Sequence, residues 1–329
     1  MSTGQGQAEK KITPGLGALV AKGRRRTWLT LGSFVLPLLL WCLISYVPFV
    51  WHPKVLVEQP GGVDYFQPGM LVDRGEFDEQ VAQMRTQGTA IPSGSPANPI
   101  YLPAPHQVLR ALYAAFTSEP EQKGAPWLHQ SLWHSIQVIF WGFTISSVLG
   151  VPLGILAGAS PTLGRLTEPF IEFFRYLPAP AFGALAVAIL GIYDGPKIAI
   201  IVIGTFFQQV LIIANTTRKL DATIIEAART LGSRGLRLIF RVVVPGILPD
   251  LYRDQRILLG WAWTYLIVAE LIGTSTGITW FITQQARYQH FENVYAAIAL
   301  IGIIGFGCDL LLERLGRRLF PWDRTFERS

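Results

Sequence analysis

Residues 132–158 read LWHSIQVIFWGFTISSVLGVPLGILAG, and no Asp, Glu, Lys or Arg interrupts them. An α-helix needs about 20 apolar residues, each rising 1.5 Å, to cross the roughly 30 Å hydrocarbon layer of a bilayer. The run is long enough and predicts a membrane-spanning helix. Working outward, five further mostly apolar runs are candidate spans: residues 28–50, 170–192, 198–215, 257–272 and 294–312, of which 170–192 holds Glu172 and Arg175, 257–272 holds Glu270 and 294–312 holds Asp309. Trp28 and Trp51 bracket the first, as interfacial aromatics do. Its length and the lack of a small-residue cleavage site predict a retained anchor rather than a secretory leader. The third and fourth runs are separated by Tyr193-Asp194-Gly195-Pro196, which reads as a turn.

Composition supports the same reading. The 329 residues are 50% hydrophobic and only 15% charged, whereas soluble domains carry about 25% charge. This excludes a disordered chain. Lys and Arg number 28 against 22 Asp and Glu, a net charge of +6. With a cytoplasmic N-terminus, 21 of the 28 basic residues fall on the inner side and 7 on the outer side. That split follows the positive-inside bias and accounts for the basic excess as topology. The basic residues form no single face of the kind nucleic acid requires, so no nucleic-acid partner is expected. Cys42 and Cys308 both lie in apolar runs and make neither a disulfide framework nor a spaced metal motif. The expected fold class is an all-α integral membrane protein with six transmembrane helices and both termini cytoplasmic.

The largest segment between runs, residues 51–127, is rich in Pro and Gly and carries Asp73, Glu76, Asp78 and Glu79. Residues 91–105 read as extended loop. From Pro105 an amphipathic helix is expected, with Val108, Leu109, Leu112, Tyr113 and Phe116 on one face. That face suits the outer membrane surface or a docking partner.

Between the fourth and fifth runs lies Leu220-Asp221-Ala222-Thr223-Ile224-Ile225-Glu226-Ala227-Ala228-Arg229-Thr230-Leu231-Gly232-Ser233, followed after nine residues by Val242-Val243-Val244-Pro245. The pattern predicts a short helix stopped by Gly232, which tolerates the left-handed conformation at a helix end. Ala227 and Ala228 leave one side nearly bare, so another protein surface can approach the backbone, with Glu226 and Arg229 available to orient it. The competing reading is an amphipathic helix lying under the bilayer.

The spacing Glu-Ala-Ala, three residues, Gly, nine residues, then an aliphatic pair and Pro245 resembles the loop signature of ABC-importer membrane subunits. Val242 and Val244 stand where that family more often has Ile and Leu. More of the chain resembles the nitrate/sulfonate/taurine branch: Leu102-Pro103-Ala104-Pro105, the segment from Gly150 to Gly158, Glu168-Pro169 with Arg175-Tyr176-Leu177-Pro178, Ala262-Trp263 with Ala269-Glu270-Leu271-Ile272, and Leu319-Phe320-Pro321-Trp322. Residues 52–100 look like an insertion into the usual short loop.

The resemblance implies a type I importer permease in a bacterial inner membrane. It implies a cytoplasmic tail (1–27), a first helix (28–50), a periplasmic loop (51–127), a transport domain (128–313) with a cytoplasmic coupling loop (216–256), and a cytoplasmic tail (314–329). Two cytoplasmic ABC ATPase subunits would grip Glu226, Ala227, Ala228, Gly232 and Pro245. A periplasmic solute-binding protein would deliver a small anionic or zwitterionic nutrient. A second permease copy, giving a homodimer, or a paralogue would complete the pathway, and lipid would surround it. The chain has no G-x-x-x-x-G-K-[ST] sequence and so lacks a backbone cradle for nucleotide phosphates. No catalytic, cofactor-binding or metal-binding residue is expected.

Four polar residues in or beside the apolar runs are pathway candidates: Arg175, Gln208, Gln209 and Glu270. Intramembrane polar groups are costly and tend to be functional. Arg175 precedes the Pro178 and Pro180 break and either snorkels, pairs with Glu172 or Glu168, or acts at an inner gate. Gln208 and Gln209 offer interhelical hydrogen bonds or a pathway lining. Glu270 is a functional carboxylate or a structural partner for an outer loop. Asp309, with Glu313 and Arg314 nearby, reads as surface pairing. Trp261, Trp263 and Tyr265 suit core or lipid contacts, or a pathway wall. Gly150, Gly154 and Gly158 recur every four residues and predict close helix contact. An integral membrane enzyme would need ionisable groups at one depth, and the candidates sit near opposite ends of their runs; a non-transporting scaffold is the other alternative.

Overall fold

The computed structural model describes residues 24–47, 50–120, 126–272 and 276–323. Most of the basic N-terminal tail and the last residues of the C-terminal tail lie outside them. The chain divides into two compact units, Met1–His106 and Gln107–Ser329.

The first unit begins with α1 (Arg24–Tyr46), whose apolar side chains Leu29, Phe34, Leu36 and Leu39 are exposed. Residues 51–100, expected as loop, form a folded module instead. It contains β1 (Lys54–Gln59), β2 (Leu71–Asp73), α2 (Arg74–Gln87) and β3 (Ser93–Ala97). β1 lies in the middle of the sheet, antiparallel to both neighbours, with Val55 opposite Val72 and Pro96. Alternation along β1 turns Val55 and Val57 to one face. There they join Val63, Phe66, Val72 and Phe77 in a separate core, with Phe66 and Phe77 stacked at 5.8 Å. Trp41 Nε1 donates to Pro103 O at 3.1 Å and Asn98 Nδ2 to Ser45 O at 3.1 Å, strapping residues 98–103 to the end of α1.

The second unit holds α3 (Pro105–Thr117), α4 (Leu128–Ala159), α5 (Pro161–Arg175), a single 3-10 turn at Ala179–Phe182, and α6 (Gly183–Leu190). α7 (Asp194–Arg218), α8 (Ala222–Thr230), α9 (Gly235–Leu238), a π turn at Ile239–Val243, α10 (Val244–Ile272), α11 (Ile278–Arg287) and α12 (Phe291–Leu319) follow.

The apolar stripe of α3 is only partly inward. Val108 is buried and Leu112 packs against the core, but Leu109, Tyr113 and Phe116 are exposed. The buried face instead adds Ala111 and Ala115.

Among the described residues, four helices are long and apolar enough to cross a membrane: α1 from Trp28, α4, α7 and α12. The expected third span is not one straight helix. Its first half is in α5 and its second half in α6, bent by 87°. Pro178 and Pro180 carry no N–H, so the ladder cannot continue through them. If the bent pair is one span, the total is five. The expected fifth span lies inside α10, which is long at 29 residues but bears Asp250, Arg253, Asp254, Arg256 and Glu270.

The supposed turn at residues 193–196 is also revised: α7 starts at Asp194, so Gly195 and Pro196 belong to its first turn, where proline's missing donor costs nothing.

α4 and α7 are the central pair. A Cβ on Gly154 would come within 2.8 Å of Ile213 Cβ, and one on Gly158 within 2.5 Å of Ala214 O. The small residues therefore let the two backbones touch, as their spacing predicts. Ile200, Ile201, Leu266, Ala269 and Ile278 fill the main core around this pair.

Candidate functional site

α8 begins at Asp221, whose carboxylate accepts from Thr223 N at 2.9 Å and Thr223 Oγ1 at 2.7 Å. These bonds hold the Asp221 carboxyl below the usual carboxylate range. The helix ends in a Schellman motif: Ser233 N donates to Ala228 O at 2.9 Å and Gly232 N to Arg229 O at 3.0 Å. Gly232 has φ +85°, a conformation that a side chain would strain. Both ends are thus fixed locally, yet no residue of α8 is buried. Glu226, Ala227 and Arg229 are exposed and Ala228 half-buried. Leu231 is 88% exposed, and Leu236 and Phe240 are also exposed, so apolar surface flanks the helix. Pro245, exposed, lies in the first turn of α10. A short helix that is capped at both ends but packs almost nothing of its own offers a preformed surface.

The four pathway candidates separate. Arg175 and Gln208 meet at a recess of about 30 Å³, with Phe174, Trp261 and Tyr265 also lining it. Arg175 does not pair with Glu172 or Glu168; its Nη2 donates to Tyr176 Oη at 2.8 Å, and its guanidinium lies 4.7 Å from that ring's centroid. Glu168 pairs with Arg218. Gln209 is fully buried and ties three helices: its Nε2 donates to Ser147 Oγ at 2.9 Å and Gln255 Oε1 at 2.6 Å, and its Oε1 accepts from Ser146 Oγ at 2.8 Å. Trp263 packs on the core. Asp309 pairs across helices, accepting from Arg256 Nη2 at 2.7 Å, while Glu313 takes the same group at 3.1 Å.

Glu270 is buried and fixes the start of α11. Its Oε2 accepts from Thr279 N at 2.8 Å. Ser135 Oγ donates to its other oxygen and accepts from Ile278 N at 2.8 Å. A carboxylate at a helix N-terminus meets both unpaired N–H groups and the favourable end of the helix dipole. Beside it stands a cluster that sequence reading missed. Lys197 is fully buried, and its Nζ donates to Asp194 Oδ1 at 3.1 Å and Thr276 Oγ1 at 2.7 Å. His134 Nε2 lies 2.9 Å from Asp194 Oδ1 and 3.2 Å from Thr276 Oγ1. The available signal was Asp194 and Lys197 three apart on one helix face, hidden by reading residues 193–196 as a turn.

Comparison with known proteins decides what this framework is. The family described as binding-protein-dependent transport system inner membrane component matches residues 150–322. The chain belongs to this family. The permease is 32% identical over 225 residues to the taurine transport system permease protein TauC of Escherichia coli K12, covering 68% of this chain and 81% of that protein. It is 34% identical over 189 residues to a probable ABC transporter permease protein of Brucella abortus strain 2308, covering 57% of this chain and 76% of that one. Its fold resembles a chain from inward-facing structures of the MetNI methionine ABC transporter, at TM-score 0.53 and 20% identity, covering 58% of this chain and 95% of that chain. The permease is thus an ABC-importer transport subunit of the nitrate/sulfonate/taurine branch. Its family implies ATPase and binding-protein partners.

Proposed function

We propose that this permease forms half of the translocation pathway of a binding-protein-dependent importer, completed by a second copy. The observation that carries the reading is α8, preformed and capped, with nothing buried, in the segment bearing the Glu-Ala-Ala signature. Glu226, Ala227, Ala228, Gly232 and Pro245 form the surface that a separate cytoplasmic ATPase grips. The chain crosses the inner membrane six times, by α1, α4, the bent α5–α6 pair, α7, α10 and α12, with residues 1–27 and 314–329 cytoplasmic. Residues 51–127 are periplasmic, 128–313 make the lipid-embedded transport domain, and 216–256 is the inner loop. Arg175 and Gln208 belong to the pathway wall, whereas Gln209 and Glu270 hold helices in place. The substrate is a small anionic or zwitterionic nutrient; relatives named for taurine, aliphatic sulfonates and bicarbonate support that class.

The test is reconstitution of the permease with its ATPase and binding protein in proteoliposomes. Gly232→Val and Glu226→Ala are expected to lower substrate-stimulated ATP hydrolysis about tenfold or more, a loss of roughly 1.4 kcal/mol or more in coupling. The melting temperature should stay unchanged for Glu226→Ala, because that side chain supports no packing. Full coupling in both variants, or labelling of Ala227→Cys from the periplasmic side, would overturn the reading.

A further inference from the structure

Two sets of bonds hold the start of α11. Ile278 N donates to Ser135 Oγ and Thr279 N to Glu270 Oε2, both at 2.8 Å. Just before them, Thr276 Oγ1 accepts from Lys197 Nζ at 2.7 Å and lies 3.2 Å from His134 Nε2. Asp194 Oδ1 completes the second set, 3.1 Å from Lys197 Nζ and 2.9 Å from His134 Nε2. The start of α11 is thereby fastened at once to α4 through His134 and Ser135, to α7 through Asp194 and Lys197, and to α10 through Glu270.

The charges of this cluster do not cancel without the imidazole. Two carboxylates, Asp194 and Glu270, stand against one ammonium, Lys197. A carboxylate oxygen only accepts, so the approach of His134 Nε2 to Asp194 Oδ1 requires a proton on Nε2. The other ring nitrogen, Nδ1, makes no hydrogen bond among the described residues and is not enclosed, and the side chain keeps 27% of its surface exposed. A proton from solvent can therefore join Nδ1 without breaking a bond. Two cations then meet two carboxylates, a balance that counts for more beside buried groups than it would in water. Other ionisable groups sit on the neighbouring elements: Arg110 on α3 with Glu119 just after it, Arg287 at the far end of α11, and His290 and Glu292 at the start of α12. None of them bonds the imidazole among the described residues.

We propose that His134 is a pH-operated bolt on the start of α11. With protons on both ring nitrogens, the bonds that fasten α11 to α4, α7 and α10 join a balanced set of charges; loss of the Nδ1 proton loosens them. Imidazole is the side chain that ordinarily changes charge between about pH 5 and 8. The held state favours the protonated form, so the hold is strongest in acid and weakens as pH rises through that range. The bolt concerns the hold on α11 and does not depend on the importer reading.

The test is amide hydrogen exchange of the full-length permease in nanodiscs across that pH range, with rates corrected for the intrinsic pH dependence of exchange. Corrected exchange at Ile278 and Thr279 should be about threefold faster at the alkaline end than at the acid end, the scale of one partly exposed ion pair. Gly232 and Ser233, whose amides bond backbone carbonyls of α8, should show no such change. His134→Gln can still donate to Asp194 but does not titrate, so it should flatten the response. His134→Lys stays cationic throughout and should keep exchange slow at both ends. No response in the parent, a response that survives in His134→Gln, or fast alkaline exchange at Ile278 and Thr279 alone in His134→Lys would each overturn the proposal. A folding defect in His134→Gln would speed every amide of the unit at all pH values, and the His134→Lys arm then decides.

Discussion

Two regions of this permease treat charge in opposite ways. On α8, Glu226 and Arg229 are exposed and no residue of the helix is buried. Around residues 270–279, Lys197 and Glu270 are buried and hydrogen-bonded to Asp194, Thr276, Ser135 and Thr279. A buried ion costs several kcal/mol to desolvate and persists only when its neighbours compensate it. An exposed one costs almost nothing to hold and stays available to another molecule. The contrast separates a surface kept for a partner from a lock that holds the chain in register. Sequence reading gave Glu226 a docking role but left Glu270 open between a functional carboxylate and a structural partner, because an acid in an apolar helix reads the same whether it is packed or presented.

The contrast can be broken most decisively at Lys197. Lys197→Met removes three donors from a fully buried position and leaves Asp194 and Thr276 without them. Because Asp194 keeps a side-chain exposure of 43% and can regain water, the expected loss is at the low end for a broken buried pair, about 3 kcal/mol, read as a lowered thermal midpoint in detergent. A variant as stable as the parent would show that the cluster is no lock. Next comes Glu270→Ala, which orphans the Thr279 N–H and takes one acceptor from the Ser135 hydroxyl, leaving it Ser131 O. About 1–3 kcal/mol should be lost, and hydrogen exchange at Ile278 and Thr279 should accelerate before the rest of the unit opens. Uniform exchange across the unit would instead assign Glu270 no local role.

The smallest effect sharpens the other side of the contrast. The Asp221 carboxyl has a folded-state pKa below that of the unfolded chain, about 3.9. Its support for α8 is therefore present above the unfolded value and is lost as pH falls through the lower folded value. Thr223 amide exchange, corrected for its intrinsic pH dependence, should show reduced protection at acid pH, and Asp221→Asn, which still caps but does not titrate, should remove that dependence. Persistence of the acid response in Asp221→Asn would move its origin elsewhere.

Long apolar runs were legible because a bilayer imposes one length and one chemistry. α4, α7 and α12 enclose the runs read from sequence, each extended by a few residues at its ends. The Gly150, Gly154 and Gly158 spacing was legible for the same reason: only small residues permit that approach. The folded module at residues 51–100 was not. β1 is six residues long, and its partners β2 and β3 lie well downstream among Pro and Gly, so no local period betrays the pairing. Pro178 and Pro180 announced a break but not its 87° bend, which depends on what α6 packs against. In the loop, the Gly232 stop and the bare Ala227–Ala228 side were readable, since a left-handed cap and a missing side chain are properties of the residues themselves. Burial of Lys197 was not, because it depends on Thr276, distant in sequence.

The glycine seam between α4 and α7 has a mechanical consequence. With Ala214 O only 2.5 Å from where a methyl on Gly158 would sit, the two backbones lie against each other with no room for a side chain between them. Packing that close, with Gln209 bonded to Ser146 and Ser147 across the same seam, favours movement of the two helices together. α7 spans 25 residues, about 37 Å at the helical rise, from Asp194 beside Lys197 to Arg218 just before α8. If α8 is the handle proposed above, a tug on it would be expected at the far end of α7, as displacement of the His134–Asp194–Lys197 knot.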